Sequence, residues 1–174
     1  MTDLSIPSLT TPDLVLRAFI AADAADLFAV YQTGVLQYFP NPNPPALEKL
    51  ERFIAIQQAH WQKHGYGNWA VTEKADPLSR VIGWVGLQFL PELNETEVGY
   101  LLGRAYWGKG YATQAARASL EFGFNHSRLP HIIALVAPEN TASLRVAAKC
   151  GLAPQETIQL WGMTLIKHRL DNPG

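Results

Sequence analysis

The chain has a single cysteine, Cys150, among 174 residues. No intramolecular disulfide can form, which argues against a disulfide-stapled secreted scaffold and for a reducing compartment. No group of His and Cys residues has zinc-ligand spacing, so no metal is expected. His60 and His64 share a helix face, but no further ligands accompany them. Charge is scarce and balanced: 17% of residues are charged, with 14 Lys+Arg against 15 Asp+Glu. That balance argues against broad binding to nucleic acid or to an anionic membrane, though a local basic cleft remains compatible with it. No apolar run approaches the roughly 20 residues that cross a bilayer. The start, Met1-Thr2-Asp3-Leu4-Ser5-Ile6-Pro7, lacks the basic and apolar regions of a signal peptide, so a cytoplasmic location without a membrane partner is expected. Repeats and low-complexity segments are also missing, which excludes solenoids and linkers.

What is present is a hydrophobic fraction of 48%, ordinary for a globular chain, so one domain over residues 1–174 is expected. Asp13-Leu14-Val15-Leu16-Arg17-Ala18 reads as a first strand, and Asp23 as the N-cap of a helix over 24–31. The proline-rich stretch Tyr38-Phe39-Pro40-Asn41-Pro42-Asn43-Pro44-Pro45 cannot continue a helix and reads as a surface loop. Leu47, Leu50, Ile54 and Trp61 recur at helical spacing over 46–64, with Gly65 as a stop. Segments 68–73, 80–89 and 95–103 are β-rich and separated by turn chemistry, which predicts a meander with Glu97, Gly99 and Leu101 on one face. A glycine-rich connection then opens a helix over 111–124. His131-Ile132-Ile133-Ala134-Leu135-Val136 is a buried type of strand, and a helix over 141–150 follows, with Asn140 as N-cap. Segments 155–160 and 163–170 close the chain as a hairpin turned at Trp161-Gly162. The expected order is β-α-α-β-β-β-α-β-α-β-β.

The strongest chemical signal is Glu97-Val98-Gly99-Tyr100-Leu101-Leu102-Gly103-Arg104-Ala105-Tyr106-Trp107-Gly108-Lys109-Gly110-Tyr111-Ala112. Glycines here let consecutive amides turn inward at a helix N-terminus, an arrangement suited to phosphate. One reading takes Gly103, Gly108 and Lys109 as the spacing of a nucleotide P-loop. Position 110 is Gly, however, where that motif needs a hydroxyl for magnesium.

The run also resembles the GCN5-related N-acetyltransferases (GNAT), over about residues 11–170. The family signature is Arg or Gln, two residues, Gly, one residue, then Gly or Ala. Trp107-Gly108-Lys109-Gly110-Tyr111-Ala112 fits it except at Trp107. A second motif, Pro138-Glu139-Asn140-Thr141-Ala142-Ser143-Leu144-Arg145-Val146-Ala147-Ala148-Lys149-Cys150-Gly151-Leu152, is similar to the Asn-x-x-Ser helix of the branch that acetylates N-terminal alanine of ribosomal proteins.

The resemblance implies a mixed, mostly antiparallel α/β (α+β) sheet, splayed at an acetyl-CoA site, with helices on both faces. It places pyrophosphate on Gly108, Lys109, Gly110, Tyr111 and Ala112, bordered by Trp107 and Thr113, and pantetheine along Leu101, Leu102 and Gly103 with Asn140 beside it. Lys109 either adds charge there or is a solvated loop lysine. The family often uses a glutamate as general base. Glu97 holds that position, with a surface strand carboxylate and a solvent base as the alternatives. Ser143 either hydrogen-bonds or protonates the departing thiolate, or serves only as a helix-capping hydroxyl. Cys150 reads as a small buried residue rather than a nucleophile. Tyr38, Phe39 and Trp161 are expected around the amine acceptor, as walls or as core aromatics. The acceptor is a small-molecule amine or a protein N-terminus, reached by direct attack in a ternary complex, and the chain is a monomer or a homodimer. The rival functions are a catalytically silent CoA-binding module and a nucleotide-binding protein.

Overall fold

In a computed structural model, which describes residues 5–174, the chain folds as one eight-stranded sheet. The leader reading above falls partly on residues 1–4, outside the described residues. A two-residue strand β1 (Leu9–Thr10), which the sequence pattern did not suggest, pairs with β2 (Leu14–Arg17). Helices α1 (Asp23–Tyr31) and α2 (Leu47–His64) follow, then the meander β3 (Asn68–Glu73), β4 (Val81–Leu90) and β5 (Glu95–Leu102). Next come α3 (Tyr111–Asn125), β6 (His131–Val136), α4 (Thr141–Lys149), and the hairpin β7 (Ala153–Leu160) and β8 (Met163–Asp171). The strand order is β1-β2-β3-β4-β5-β6-β8-β7, antiparallel throughout except where β5 meets β6.

Two apolar clusters cover the sheet. Ala115, Ala116 and Leu120 of α3 and Ala147 of α4 pack with Val85, Leu87, Val98 and Ile132. On the other face Leu27 and Val30 of α1 and Leu50 and Ile54 of α2 pack with Ala70, Val81 and Leu101. Val98 and Leu101 fall in different clusters because neighbouring side chains along a strand point to opposite faces. The small residues Ala115, Ala116 and Ser119 of α3 are all buried and let that helix lie close to the strands.

Three local details differ from the sequence reading. Asp23 is not the N-cap of α1; Ala22 holds that position without a side-chain bond. The Asp23 carboxylate instead reaches back to the Ile20 amide at 2.8 Å and takes two bonds from Arg17 at 2.8 and 2.9 Å. It plays the part of the back-reaching acid of a capping box. Leu47, expected on the apolar face of α2, is 39% exposed because it is that helix's first residue. Residues Arg104–Tyr106 form a 3-10 turn between β5 and the glycine loop. Asn140 does cap α4, its Oδ1 accepting from the Ser143 amide at 3.1 Å.

Candidate functional site

β5 and β6 run side by side in parallel but pair at one register point, Glu97 with Ile133. Beyond that point a cavity of about 420 Å³ opens between Gly99 and Tyr100 on one side and Leu135 and Val136 on the other. It reaches both faces of the sheet, bordered by Phe53 and Gln57 of α2 on one and by Ala116 of α3 and Ala147 of α4 on the other. A second cavity of about 350 Å³ continues from it along Leu101, Leu102 and the glycine loop. Tyr38, Phe39, Tyr100, Asn140, Ser143 and Val146 border both, and so mark where the two meet.

The glycine loop forms one end of the second cavity. Gly108 and Gly110 have φ of 74° and 78°, a left-handed conformation that glycine adopts without steric cost. Gly110 is the N-cap of α3, with no capping side chain and no acidic residue in the first turn. The first intrahelical bond runs from the Gln114 amide to the Gly110 carbonyl at 3.0 Å. The amides of Tyr111, Ala112 and Thr113 therefore have no partner within the helix, and all three residues border the cavity together with Trp107, Gly108 and Gly110. Such a terminus favours an anion through its amides and its dipole.

Gly103 and Lys109 do not border either cavity. The Gly103 amide bonds the Ile82 carbonyl at 2.8 Å and holds the end of β5 to β4. The Lys109 ammonium turns to Glu73 at 3.8 Å and lies near the Tyr106 and Tyr111 rings. Trp107, the position where the signature departs from Arg or Gln, donates its indole N–H to the Leu102 carbonyl at 2.8 Å, and the Arg104 guanidinium lies over its ring. The cations that do border the groove are Arg145 and Lys149, one turn apart on α4. The sequence reading did not single them out, because nothing local shows that this face of α4 borders a groove.

Glu97 borders the larger cavity, where lost hydration pushes its carboxyl up to about 7, against the smaller opposing influence of the Leu135 amide. Gln88 stands directly opposite it on β4. Ser143 lies at the junction, its amide held by Asn140 and its hydroxyl beside the Tyr100 phenol. Burial holds that phenol protonated, with its pKa pushed up to about 12. Tyr100 is one of the residues that the sequence reading missed: strand alternation puts it on the α3–α4 face, yet nothing local shows which helical residue it meets. Burial also raises the Cys150 thiol, so this cysteine is a poor thiolate.

Tyr38 and Phe39, in the loop between α1 and α2, border both cavities. Trp161 borders the larger one from the tip of the β7–β8 hairpin, and its indole N–H donates to Glu92 at 3.2 Å. His60 is removed from any metal role. Its Nδ1 donates to the Tyr66 carbonyl at 2.8 Å and its Nε2 accepts from the Phe89 amide at 3.1 Å, so both ring nitrogens are engaged.

Comparison with known proteins agrees with this geometry. Residues 13–153 match the family model of the acetyltransferase (GNAT) domain. The chain is 31% identical over 157 residues to the uncharacterized protein YkkB of Bacillus subtilis (strain 168), covering 88% of this chain and 89% of that one. It is 30% identical over 147 residues to the uncharacterized N-acetyltransferase p20 of Bacillus licheniformis, covering 80% and 78%. Its fold superimposes on the ribosomal-protein-S5-alanine acetyltransferase of Vibrio fischeri with a TM-score of 0.79 at 20% identity, covering 97% of this chain and 98% of that one. The P-loop reading falls with this match: a 3-10 turn and Trp107 stand between Gly103 and Gly108, and Lys109 pairs with Glu73. A glycine-opened helix at a splayed pair of parallel strands, together with the family match over most of its length, shows that the chain belongs to the acetyltransferase (GNAT) domain family, whose members are enzymes.

Proposed function

We propose that the chain, acting as one domain, is an acetyl-CoA-dependent N-acetyltransferase that moves the acetyl group directly to a primary amine. The observation that carries this reading is the cavity through the sheet, with an uncapped helix N-terminus at one end and Glu97 at the other. The residues present fit the cosubstrate. Unpartnered amides at Tyr111, Ala112 and Thr113 suit its pyrophosphate, and Arg145 and Lys149 supply positive charge beside them. The strand edge at Leu101 and Leu102 suits pantetheine, and Asn140, whose Oδ1 is committed to capping, keeps its amide nitrogen for it.

When bound, acetyl-CoA supplies an activated acyl carbon and a thiol leaving group. An amine reaches the enzyme largely as ammonium, which has no lone pair to attack with. Glu97, with its proton affinity raised to about 7, accepts that proton on its carboxylate near neutral pH. The Tyr100 and Ser143 hydroxyls stand where the sulfur departs and donate hydrogen bonds to it. Overall the C–S bond breaks, a C–N bond forms, and of the two protons that the ammonium nitrogen loses one passes through Glu97 to solvent and the other to the departing sulfur. Cys150 is not needed as an acyl carrier, because the two cavities meet at Tyr100, Asn140 and Ser143 and give the amine a direct route to the acyl carbon.

Calorimetric titration with acetyl-CoA, using ATP plus magnesium as control, tests the first half of this reading. Thiol release on adding an amine tests the second. Binding without release for any amine would leave a silent CoA-binding module, and binding of neither nucleotide would remove the ligand assignment.

A further inference from the structure

The amine side of the cleft carries polar atoms that the fold itself leaves unpaired. Gln57 and Asn68 are 4% and 5% exposed, and both border the cavity that contains Glu97. Neither Gln57 Oε1 nor Asn68 Oδ1 meets a hydrogen-bond partner among the described residues. An unpaired buried carbonyl forfeits the hydrogen bond it had to water, so such atoms mark a place where something else supplies the bond. Gln57 comes from the buried face of α2 and Asn68 from the first position of β3. At Gly86, which pairs with Asn68 on one side and with Gly99 on the other, the Gly67 carbonyl and Asn68 itself fill the place of a side chain, whereas the floor at Gly99 is open. A Cβ at Gly99 would meet nothing nearer than the Trp84 ring at 3.5 Å.

The walls are flat and apolar. Phe53 and Trp84 stand on one side, and the Trp84 ring is fixed by its N–H bond to the Tyr31 hydroxyl at 3.0 Å. Tyr38 and Phe39 close a second side, and Trp161, pinned to Glu92, a third. Among the described residues no arginine, lysine or histidine borders this cavity, and Glu97 is its one acidic side chain.

We propose that the accepted amine is a small primary amine with a flat apolar body and a second, uncharged hydrogen-bonding group, a hydroxyl or an amide, held by the Gln57 and Asn68 carboxamides. This rests on the transferase reading above. A carboxylate on the acceptor would meet no cation and would face Glu97, so amino acids are rejected. A second ammonium would be buried beside neutral amides without a counter-charge, which is costlier than burying a hydroxyl with partners. Aromatic walls favour a flat body. The transfer itself is unchanged: the acceptor nitrogen forms the C–N bond, Glu97 takes its proton, and the thiol leaves.

Four amines on one framework separate the possibilities: phenethylamine, tyramine, phenylalaninamide and phenylalanine, with a short peptide bearing a free N-terminal alanine beside them. Thiol release from acetyl-CoA gives kcat/KM for each, and quenching of tryptophan fluorescence gives amine affinity without turnover. The better of tyramine and phenylalaninamide is expected to exceed phenethylamine by about ten- to a hundredfold, the worth of one or two well-made buried hydrogen bonds. Phenylalanine is expected to lie at least about a hundredfold below phenylalaninamide, in both readouts. In Gln57→Leu and Asn68→Leu the ratio of the preferred amine to phenethylamine should fall toward one, with melting temperature checked for folding. A ratio near one in the parent, equal use of phenylalanine, or an unchanged ratio in both variants overturns the proposal. Transfer to the peptide alone also overturns it while leaving the transferase reading intact. Tight acetyl-CoA binding with no release for any amine overturns both.

Discussion

Glu95 and Glu97 stand two residues apart on the same face of β5, yet their surroundings push them in opposite directions. Burial works to raise Glu95, but hydrogen bonds from Lys167 and from His131 at 3.0 Å outweigh it and hold the carboxylate below its ordinary range. Glu97 has burial without a cation, and its carboxyl rises to about 7. Two like groups in unlike settings is the pattern that separates a structural acid from a working one. The pH dependence follows. In the wild type kcat/KM should climb as pH passes about 7, because the proposed mechanism makes the ionised form the base. Glu97→Gln should lose that limb and fall by roughly 10²–10⁴ in turnover, with acetyl-CoA affinity little changed. A stability effect of opposite sense should accompany it. The folded carboxyl keeps its proton up to about 7, whereas an unfolded one releases it near 4.5. Between those values the folded chain binds more protons, so stability falls as pH rises, and the cost is full above about 7. Glu97→Gln should therefore be more stable than the parent at pH 8, by at most roughly 3 kcal/mol, and equal to it at pH 4. Denaturant titrations at the two pH values check this. At the junction, Tyr100→Phe and Ser143→Ala should each lower kcat by about tenfold or more while calorimetric acetyl-CoA affinity holds, the mark of a contact made as charge develops on sulfur.

Among the elements, α2 is joined to the sheet by His60, which bonds the Tyr66 carbonyl and the Phe89 amide at once. That arrangement requires the neutral ring, and burial lowers its pKa from 6.5. The unfolded chain then binds more protons than the folded one as pH drops below about 6.5, so stability is lost in that direction. Glu97 acts the other way over the same range in parent and variant alike, so the check is the difference: from pH 7 to pH 5 the melting temperature of the parent should drop relative to that of His60→Leu. The helix α3 makes a second prediction. Gly110→Ala forces a Cβ into a left-handed conformation at φ 78°, which costs about 1–2 kcal/mol and displaces the amides that face the groove. Acetyl-CoA affinity should drop in that variant more than in Ser119→Ala on the packed face of the same helix. These helices and the meander were legible because their signals are local: apolar spacing in α2, turn residues between strands, Asn140 before α4, glycine stops after α2 and α4. Details that rest on distant partners were not. Asp23 had the composition of a cap, but Arg17 and the Ile20 amide claim its carboxylate. The two-residue β1 carries too little pattern to read, and exists because β2 offers it an edge.

The whole molecule is built around one interruption, the single pairing point between two parallel strands, from which a cavity passes to both faces of the sheet. The second cavity was largely legible, since Leu101, Leu102, Trp107, Gly108 and Tyr111 border it through one continuous stretch of chain. Gly103 and Lys109 were the exceptions, the first tied by its amide to Ile82 and the second drawn to Glu73 by a strand far away in sequence. The larger cavity was legible at Tyr38, Phe39, Glu97 and Trp161, and at Asn140 and Ser143 where it meets the second. Gln57, Asn68, Trp84 and Tyr100 come from four separate elements, and a glutamine on a helix or an asparagine opening a strand carries no local sign that it ends beside an open space. Among the described residues no helix is long and apolar enough to cross a membrane.

Because the two halves join at Tyr100, Asn140 and Ser143, both ligands should be bound before any bond changes. Initial rates measured while acetyl-CoA and an accepted amine are varied against each other test this most directly. Double-reciprocal lines that intersect, with no acetyl group retained on the protein when the amine is left out, are the predicted result. Parallel lines with an acetylated Cys150 would contradict it, since the acetyl group would then travel through the enzyme rather than directly to the amine.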